Sequence, residues 1–496
     1  MKLLTPVLSA PFRALLSIFF LFGAFACQEV TPPPASPPNV ILVVVDDLGW
    51  QDLSIQGSKK YETPHIDQLA QGGMRFTDAY AACAVCSPSR AALMTGRYPV
   101  RYGVTDWIRS RFQGGEIPED NKNPQGFTYT EDKPLMVPEN ALWLERREIT
   151  LAEWLKPAGY TSAHIGKWHL GPDDWYPTRQ GFDENYGGCD YGQPPSYFDP
   201  YSRPEHAHPM IQAGIPTLTP RDSGEYLTDR EGDEAVAFIE RNAQQGPFFL
   251  YLAHYAVHTP IQAKDSLTAA YEAKLADKGG HASYAAMIAS VDEAMGKILA
   301  TLKKEKLEEN TLILFTSDNG GLDQEGWPTD NAPLRSGKGY PYEGGIRVPF
   351  IAYWPGTIAA GQESSRLVTG VDVFPTLAEI AGLDLPPETS IDGYSLWTHF
   401  KKGAETAVGR GPLFWHFPHY RGRDVAPYSI IREGKWKLIR YYDGTPTELY
   451  DLENDLGESR NLATDEINQV RMMETRLDAW LLATSAKVPR AKPAAN

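Results

Sequence analysis

The stretch Asn39-Val40-Ile41-Leu42-Val43-Val44-Val45-Asp46-Asp47 decides the fold. A continuous, mostly β-branched apolar run has no polar face to offer water. It reads as a strand buried on both faces, as in parallel sheets. It ends in two adjacent carboxylates. In open α/β sheets, ligands collect beyond the carboxyl ends of the strands, and paired Asp there suits a hard cation. A solvated turn is the plainer alternative. The same design recurs at Thr311-Leu312-Ile313-Leu314-Phe315-Thr316-Ser317-Asp318-Asn319-Gly320-Gly321. Two such tips side by side offer up to four oxygen ligands, a set that favours Ca²⁺ or Mg²⁺ over zinc. The expected fold class is α/β, with a large, mostly parallel central sheet flanked by helices.

Between these strands lies Cys86-Ser87-Pro88-Ser89-Arg90-Ala91-Ala92-Leu93-Met94-Thr95-Gly96-Arg97. Pro88 suits a first helical turn, Ser87 or Ser89 is a natural cap, and the four residues from Ala91 are good helix formers. Gly96 is a plausible stop. Cys86 is therefore expected at a helix N-terminus, where free N–H groups favour an anion. Arg90 follows one turn later. The string resembles the signature of the type I sulfatases, Cys-x-Pro-x-Arg followed by Thr-Gly-Arg. Further matches are Thr63-Pro64-His65-Ile66-Asp67, Gly166-Lys167-Trp168-His169-Leu170-Gly171, His258 two before Pro260, and Gly337-Lys338 with Glu343-Gly344-Gly345-Ile346-Arg347-Val348-Pro349. The resemblance covers nearly all of residues 39–480.

It implies an alkaline-phosphatase-like fold, with a small C-terminal subdomain of antiparallel sheet plus helix. It also implies that Asp46, Asp47, Asp318 and Asn319, with residue 86, hold a divalent cation, usually Ca²⁺. A separate formylglycine-generating enzyme would oxidise Cys86 to formylglycine, whose hydrate is the nucleophile. Arg90, Lys167, His169, His258 and Lys338 are carried over as catalytic. Lys167 and His169 alternate around Trp168, so in extended chain they share one face. Arg179 and His419 are candidate substrate contacts. Residues 105–145, with Trp107, Arg109 and Arg111, read as an insertion near the site mouth. His65, His164, His254 and Cys83 are read as structural, and Glu343 and Arg347 as an internal ion pair.

The 496 residues carry 47 basic and 63 acidic side chains, a net charge of -16. That balance argues against broad nucleic-acid binding, so an anionic substrate needs a local basic pocket. Four cysteines at this length make no disulfide framework. Lys2 and Arg13 precede the apolar run Leu15 to Phe25, too short for a confident membrane span. Ala24-Phe25-Ala26 suits soluble secretion. A small residue before Cys27, then a Pro-rich tether, resembles a bacterial lipoprotein with Cys27 lipidated. The second reading is preferred, which expects a periplasmic or outer-membrane-anchored protein, secreted as the alternative. The expected divisions are a signal peptide over 1–27, a linker over 28–38, a catalytic domain over 39–405 and a C-terminal subdomain over 406–496.

The function expected is hydrolysis of a sulfate ester on a carbohydrate or polysaccharide fragment. The alternatives are a phosphomonoester or phosphonate hydrolase of the same superfamily, or a non-catalytic exported glycan-binding lipoprotein.

Overall fold

The computed structural model describes residues 37–405, 409–422 and 424–493. The expected signal peptide, the lipidation at Cys27, the linker up to residue 36 and the start of the C-terminal subdomain (406–408) lie outside the described residues.

An eight-stranded sheet runs in the order Gln362–Ser364 (β8), Met74–Phe76 (β2), Phe350–Tyr353 (β7), Thr311–Ser317 (β6), Asn39–Val45 (β1), Phe248–His254 (β5), Thr161–Gly166 (β3) and Glu184–Tyr186 (β4). All neighbours pair parallel except β7, which runs against both β2 and β6. The sheet is thus mixed, with one reversed strand. Every residue of β1, β5 and β6 is buried.

Strand β1 divides its side chains between two cores. Ile41, Val43 and Val45 join one with Ala282–Lys304 (α4) and Leu227–Asn242 (α3). Val40, Leu42 and Val44 join the other, with Cys86–Thr95 (α2) and Val373–Ile380 (α5). Covering both faces is what an uninterrupted apolar strand demands. Pro64–Gly72 (α1) opens on its proline, as expected.

The chain's last part builds a four-stranded antiparallel sheet from Leu413–Phe417 (β9), Tyr428–Glu433 (β10), Trp436–Tyr441 (β11) and Glu448–Asp451 (β12). One face packs on Ile467–Ala483 (α6). The other packs on Tyr80, Cys83, Ala84 and Val85, directly before α2. Both parts belong to one compact unit that starts at Pro37. Residues 386–411, between α5 and β9, hold a short helix, Trp397–Lys402, that buries Phe400. Strand β10 shows little alternation because five of its six residues are buried.

A buried ion network ties the two parts together. Lys437 on β11 is fully buried and lies 3.0 Å from Glu343 Oε1 and 2.7 Å from Glu458 Oε1. Glu343 also accepts from Tyr80 Oη at 2.8 Å and pairs with Arg347 at 3.5 Å, the ion pair read from the sequence. Lys437→Met removes the cation and leaves two carboxyl groups facing each other in the interior. The expected cost is about 3–5 kcal/mol, read as a drop in the urea unfolding midpoint. An unchanged midpoint would show that the network contributes nothing to holding the C-terminal sheet.

Candidate active site

The register of β1 against β6 pairs Val45 with Ser317, so the two strand tips emerge side by side. Asp46, Asp47, Asp318 and Asn319 follow, all essentially without solvent exposure. The Asp47 amide donates to Asp318 Oδ1 at 3.3 Å, and Asn319 Nδ2 donates to Asp47 Oδ1 at 2.8 Å. Asp47 has φ 60, a left-handed turn that ends the strand abruptly.

Helix α2 delivers residue 86 to this point. Val85 is extended and precedes the helix, so Cys86 is the first helical residue, with its backbone donor free of the helix ladder. Neither serine caps the helix. Ser87 Oγ donates to the His169 carbonyl at 2.9 Å and accepts from the Ile108 amide at 2.9 Å. Ser89 Oγ exchanges hydrogen bonds with the Cys83 backbone. Both hydroxyls pin neighbouring loops to the helix instead. Gly96 closes α2 with φ 67, as expected.

Arg90 is fully buried. Its Nε donates to Asp318 Oδ2 at 2.7 Å and its Nη1 to the Lys167 carbonyl at 2.7 Å. It does not line the cavity above residue 86. Arg90 therefore acts by fixing Asp318 and the Lys167 backbone. Lys167 lies equally deep, its Nζ 2.5 Å from Asp46 Oδ2. Lys338 Nζ lies 2.6 Å from Asp47 Oδ1 and 2.8 Å from Oδ2. Lys167 and His169 do not share one face as read from strand alternation: His169 lines the cavity, whereas Lys167 is turned to Asp46 and does not. Strand β3 stops at Gly166 and His169 adopts φ 61, so a turn, not strand alternation, aims His169.

The cavity, about 470 Å³, has Cys86, His169, His258 and Lys338 among its lining residues. His169 Nε2 donates to the Ile108 carbonyl at 2.7 Å, which leaves buried Nδ1 without a partner. His258 Nδ1 donates to the Thr259 carbonyl at 2.9 Å, and its Nε2 lies 3.6 Å from Asp47 Oδ2. Burial and then the Lys338 charge push His258 down to about 3. Burial and then Lys167 hold His169 well below the ordinary range. Burial raises the Asp47 carboxyl, but Lys338, His258 and Lys167 outweigh it and hold it low. Burial, and next Asp318, push Asp46 up. Burial also raises the Cys86 thiol, so it stays protonated.

The residues fit a divalent cation. Asp46 Oδ1 and Asn319 Oδ1 are buried oxygens with no hydrogen-bond donor, and such atoms in a native interior call for a partner. Oxygens from three carboxylates and one amide suit a hard ion. One potential ligand atom each from Asp46, Asp47, Cys86 and His258 fall within 4.8 Å of one another. His258 thus belongs to the tightest cluster. Asp318, engaged by Arg90, adjoins it.

The remaining candidates fall elsewhere. Arg179 is exposed at the end of a single turn and does not line the cavity. His419 is buried, with Nε2 at 2.8 Å from Thr105 Oγ1 and its ring on Phe417, and it too is off the cavity wall. The tail does reach the rim, but through Arg421 and Gly422. Trp107 and Gln113 from the insertion, and Gln193, complete the wall. The sequence marked the insertion by its position; nothing in it singled out Gln193 or Arg421. His254 pairs with Glu231 at 2.6 Å, and His164 lies among Trp168, Phe182 and Tyr251, both structural as read.

Comparison with known proteins agrees with this site. The Sulfatase family model matches residues 38–383, and the model for the C-terminal part of N-sulphoglucosamine sulphohydrolase matches residues 337–485. The chain is 33% identical to a sulfatase of Formosa agariphila, over 90% of this chain and 89% of the relative. It is 35% identical to N-acetylgalactosamine-6-sulfatase of Mus musculus, over 79% of this chain and 71% of the relative. The solved structure of Ps i-CgsB in complex with k-i-k-neocarrahexaose superposes with a TM-score of 0.75 at 32% identity, covering 90% of this chain and 92% of that one. The chain belongs to the sulfatase family, and its fold is alkaline-phosphatase-like. Its activity is that of a sulfuric ester hydrolase, which sets aside the phosphatase and non-catalytic alternatives.

Proposed function

We propose that the protein removes sulfate from a sulfated carbohydrate outside the cytoplasm. The observation that carries this reading is the meeting of Cys86, at the start of α2, with Lys338, His169 and His258 on one cavity wall above the paired strand tips. A protonated, buried thiol is a weak nucleophile, which supports oxidation of Cys86 to formylglycine by a separate maturing enzyme. The relatives' names support the substrate class: one is an N-acetylgalactosamine-6-sulfatase and one solved neighbour holds k-i-k-neocarrahexaose. The amino-terminal reading supports export, as a lipoprotein anchored through Cys27 or as a secreted protein.

Once matured, residue 86 supplies a hydrated aldehyde as the attacking oxygen. Asp46, Asp47, Asp318 and Asn319 would hold a divalent cation, Ca²⁺ ahead of Mg²⁺, which when bound would offset negative charge on the sulfonyl oxygens. The chain's own groups do the rest. Lys338 binds a sulfonyl oxygen from the cavity wall, and the free N–H groups opening α2 favour the same anion. Lys167 holds Asp46 in place from beneath. Lys338, paired with Asp47 and held charged against burial, carries a proton toward the leaving alcohol beside His258 Nε2. His169 accepts a proton at Nδ1, the nitrogen left free by its bond to Ile108.

The test is sulfate release, followed by ion chromatography, from a panel of position-defined sulfated sugars and polysaccharides. The protein is co-expressed with a formylglycine-generating enzyme. Release from sulfated sugars is expected. Release confined to aryl sulfates, with residue 86 shown to be matured, would overturn the carbohydrate assignment.

A further inference from the structure

We propose that Arg421 is a specificity-determining residue that reads a second anionic group, a carboxylate or a further sulfate, on the saccharide whose ester lies at residue 86. The proposal rests on the carbohydrate reading above and extends it to the charge pattern of the substrate.

The cavity is lined by groups of two kinds. Cys86, His169, His258 and Lys338 are its reacting groups, whereas Trp107, Gln113, Gln193 and Arg421 line the rest of it, with Arg421 beside the Lys338 loop. An aromatic ring and two side-chain amides suit a sugar's apolar face and hydroxyls. A guanidinium suits an anion, and its planar fork matches carboxylate or sulfate oxygens in pairs.

Arg421 is built into place. Its amide donates to the Val425 carbonyl at 3.1 Å and Val425 returns the bond at 3.3 Å, fixing a tight turn between β9 and β10. Its side chain lies across Gly339, the residue after Lys338. A Cβ on Gly339 would stand 1.9 Å from Arg421 Nε and 2.2 Å from its Cδ, so only glycine leaves room. Gly339 also has φ 88, and its amide donates to the Ala84 carbonyl just before α2. The guanidinium therefore lies against the loop that carries the catalytic lysine.

Its charge is only partly answered. Among the described residues Arg421 makes no ion pair within 4.0 Å, and the carboxylate that feels its charge is Asp106. Nearby buried or half-buried arginines do pair directly: Arg101 with Asp392 at 2.6 Å, Arg347 with Asp78 at 2.5 Å and Arg432 with Asp78 at 2.8 Å. Lys338, the other cation on the cavity wall, is taken up by Asp47. In a chain of net charge -16, a guanidinium on a binding wall with no carboxylate in direct contact points to an anion supplied by the ligand.

The test compares three probes on the matured, full-length protein. They are N-acetylgalactosamine 6-sulfate, N-acetylgalactosamine 4,6-disulfate, and a disaccharide of glucuronate and N-acetylgalactosamine 6-sulfate. The readout is the ratio of kcat/KM for each doubly charged probe to that for the singly charged one, in which any general loss of activity cancels. The parent protein is expected to favour one doubly charged probe, and which one identifies sulfate or carboxylate as the partner. Arg421→Gln should shrink that preference by about tenfold to hundredfold, mainly through KM, as for a charge-assisted hydrogen bond. Arg421→Lys should keep part of it, and added salt should erode it. A parent with no preference, or a preference unchanged in Arg421→Gln, overturns the proposal.

If no probe is hydrolysed, the carbohydrate reading fails for these sugars and the proposal is read separately. Calorimetric affinities of the three probes for Cys86→Ala, with and without Arg421→Gln, give the same ratio without turnover. Failure of all three to bind overturns it as well.

Discussion

Cys86→Ala is expected to lower sulfate release by roughly ten-thousandfold or more, as removal of a catalytic nucleophile does. Residue 86 is the one group on the reacting wall positioned at a helix N-terminus, where a developing anion meets free backbone donors. Lys338, His169 and His258 surround it but have no covalent role to take over. Substituting alanine removes one sulfur atom and none of the hydrogen bonds that pin α2, which run through Ser87, Ser89 and Arg90. The urea unfolding midpoint should therefore stay close to that of the parent. Sulfate measured by ion chromatography at the parent's rate in this variant would end the nucleophile assignment. An equal collapse of activity and of folding would leave no reason to call residue 86 catalytic.

The second large effect is expected from Asp318→Asn, and it should appear in two readouts at once. Asp318 Oδ2 is the carboxylate oxygen closest to the Arg90 guanidinium, at 2.7 Å, with both side chains fully buried. Its replacement leaves Arg90 with the Lys167 carbonyl and a distant Asp46 oxygen at 3.8 Å. Uncovering a buried charge in this way costs about 3–5 kcal/mol, visible as a fall in the urea midpoint. The same change takes a carboxylate from the cation cluster, so the divalent metal that copurifies with the protein should fall to a small fraction of the parent's. Sulfate release should drop by roughly a hundredfold to a thousandfold. Asn319→Ala separates the two effects. Asn319→Ala leaves every buried cation paired and removes only the amide's bonds to Asp47 and the Gly320 carbonyl, so metal content should fall with a smaller stability loss than in Asp318→Asn. Parent-like metal content in both variants would remove these residues from the ligand set.

Much of the frame was legible because it is written in local chemistry. A run such as Val40–Val45 has one comfortable environment, and acidic residues at its end have few reasons to be there. The repeat at Thr311–Asn319 gave the second half of the cluster, and the register of β1 on β6 brought the two together as expected. What stayed illegible was set by contacts across the chain. Ser87 and Ser89 have the chemistry of caps, yet tertiary partners claimed both hydroxyls. Arg90 reads as catalytic, but its Nε and Nη1 are tied to Asp318 and the Lys167 carbonyl below the cavity, and only Nη2 is left without a hydrogen-bond partner. His419 drew attention as a titratable group near the rim, whereas Thr105 holds it inside and the rim position falls to Arg421. The cavity lining gathers Trp107, Gln193 and Arg421 from three loops, and no local pattern announces such a meeting.

The position of β1 in the sheet has a consequence for how the protein is made. Its two neighbours, β5 and β6, lie more than two hundred residues further along the chain. At ordinary rates of synthesis, roughly 5–20 residues per second, this apolar strand waits for something on the order of ten to forty seconds before its first partner exists. An unpaired strand of that composition is an invitation to other chains. Pro37 and Pro38 before it and Asp46 and Asp47 after it flank the run with a rigid break and a double charge, the pattern that discourages misassembly of exposed strands. The acidic pair that serves the site in the finished enzyme thus also guards the nascent chain.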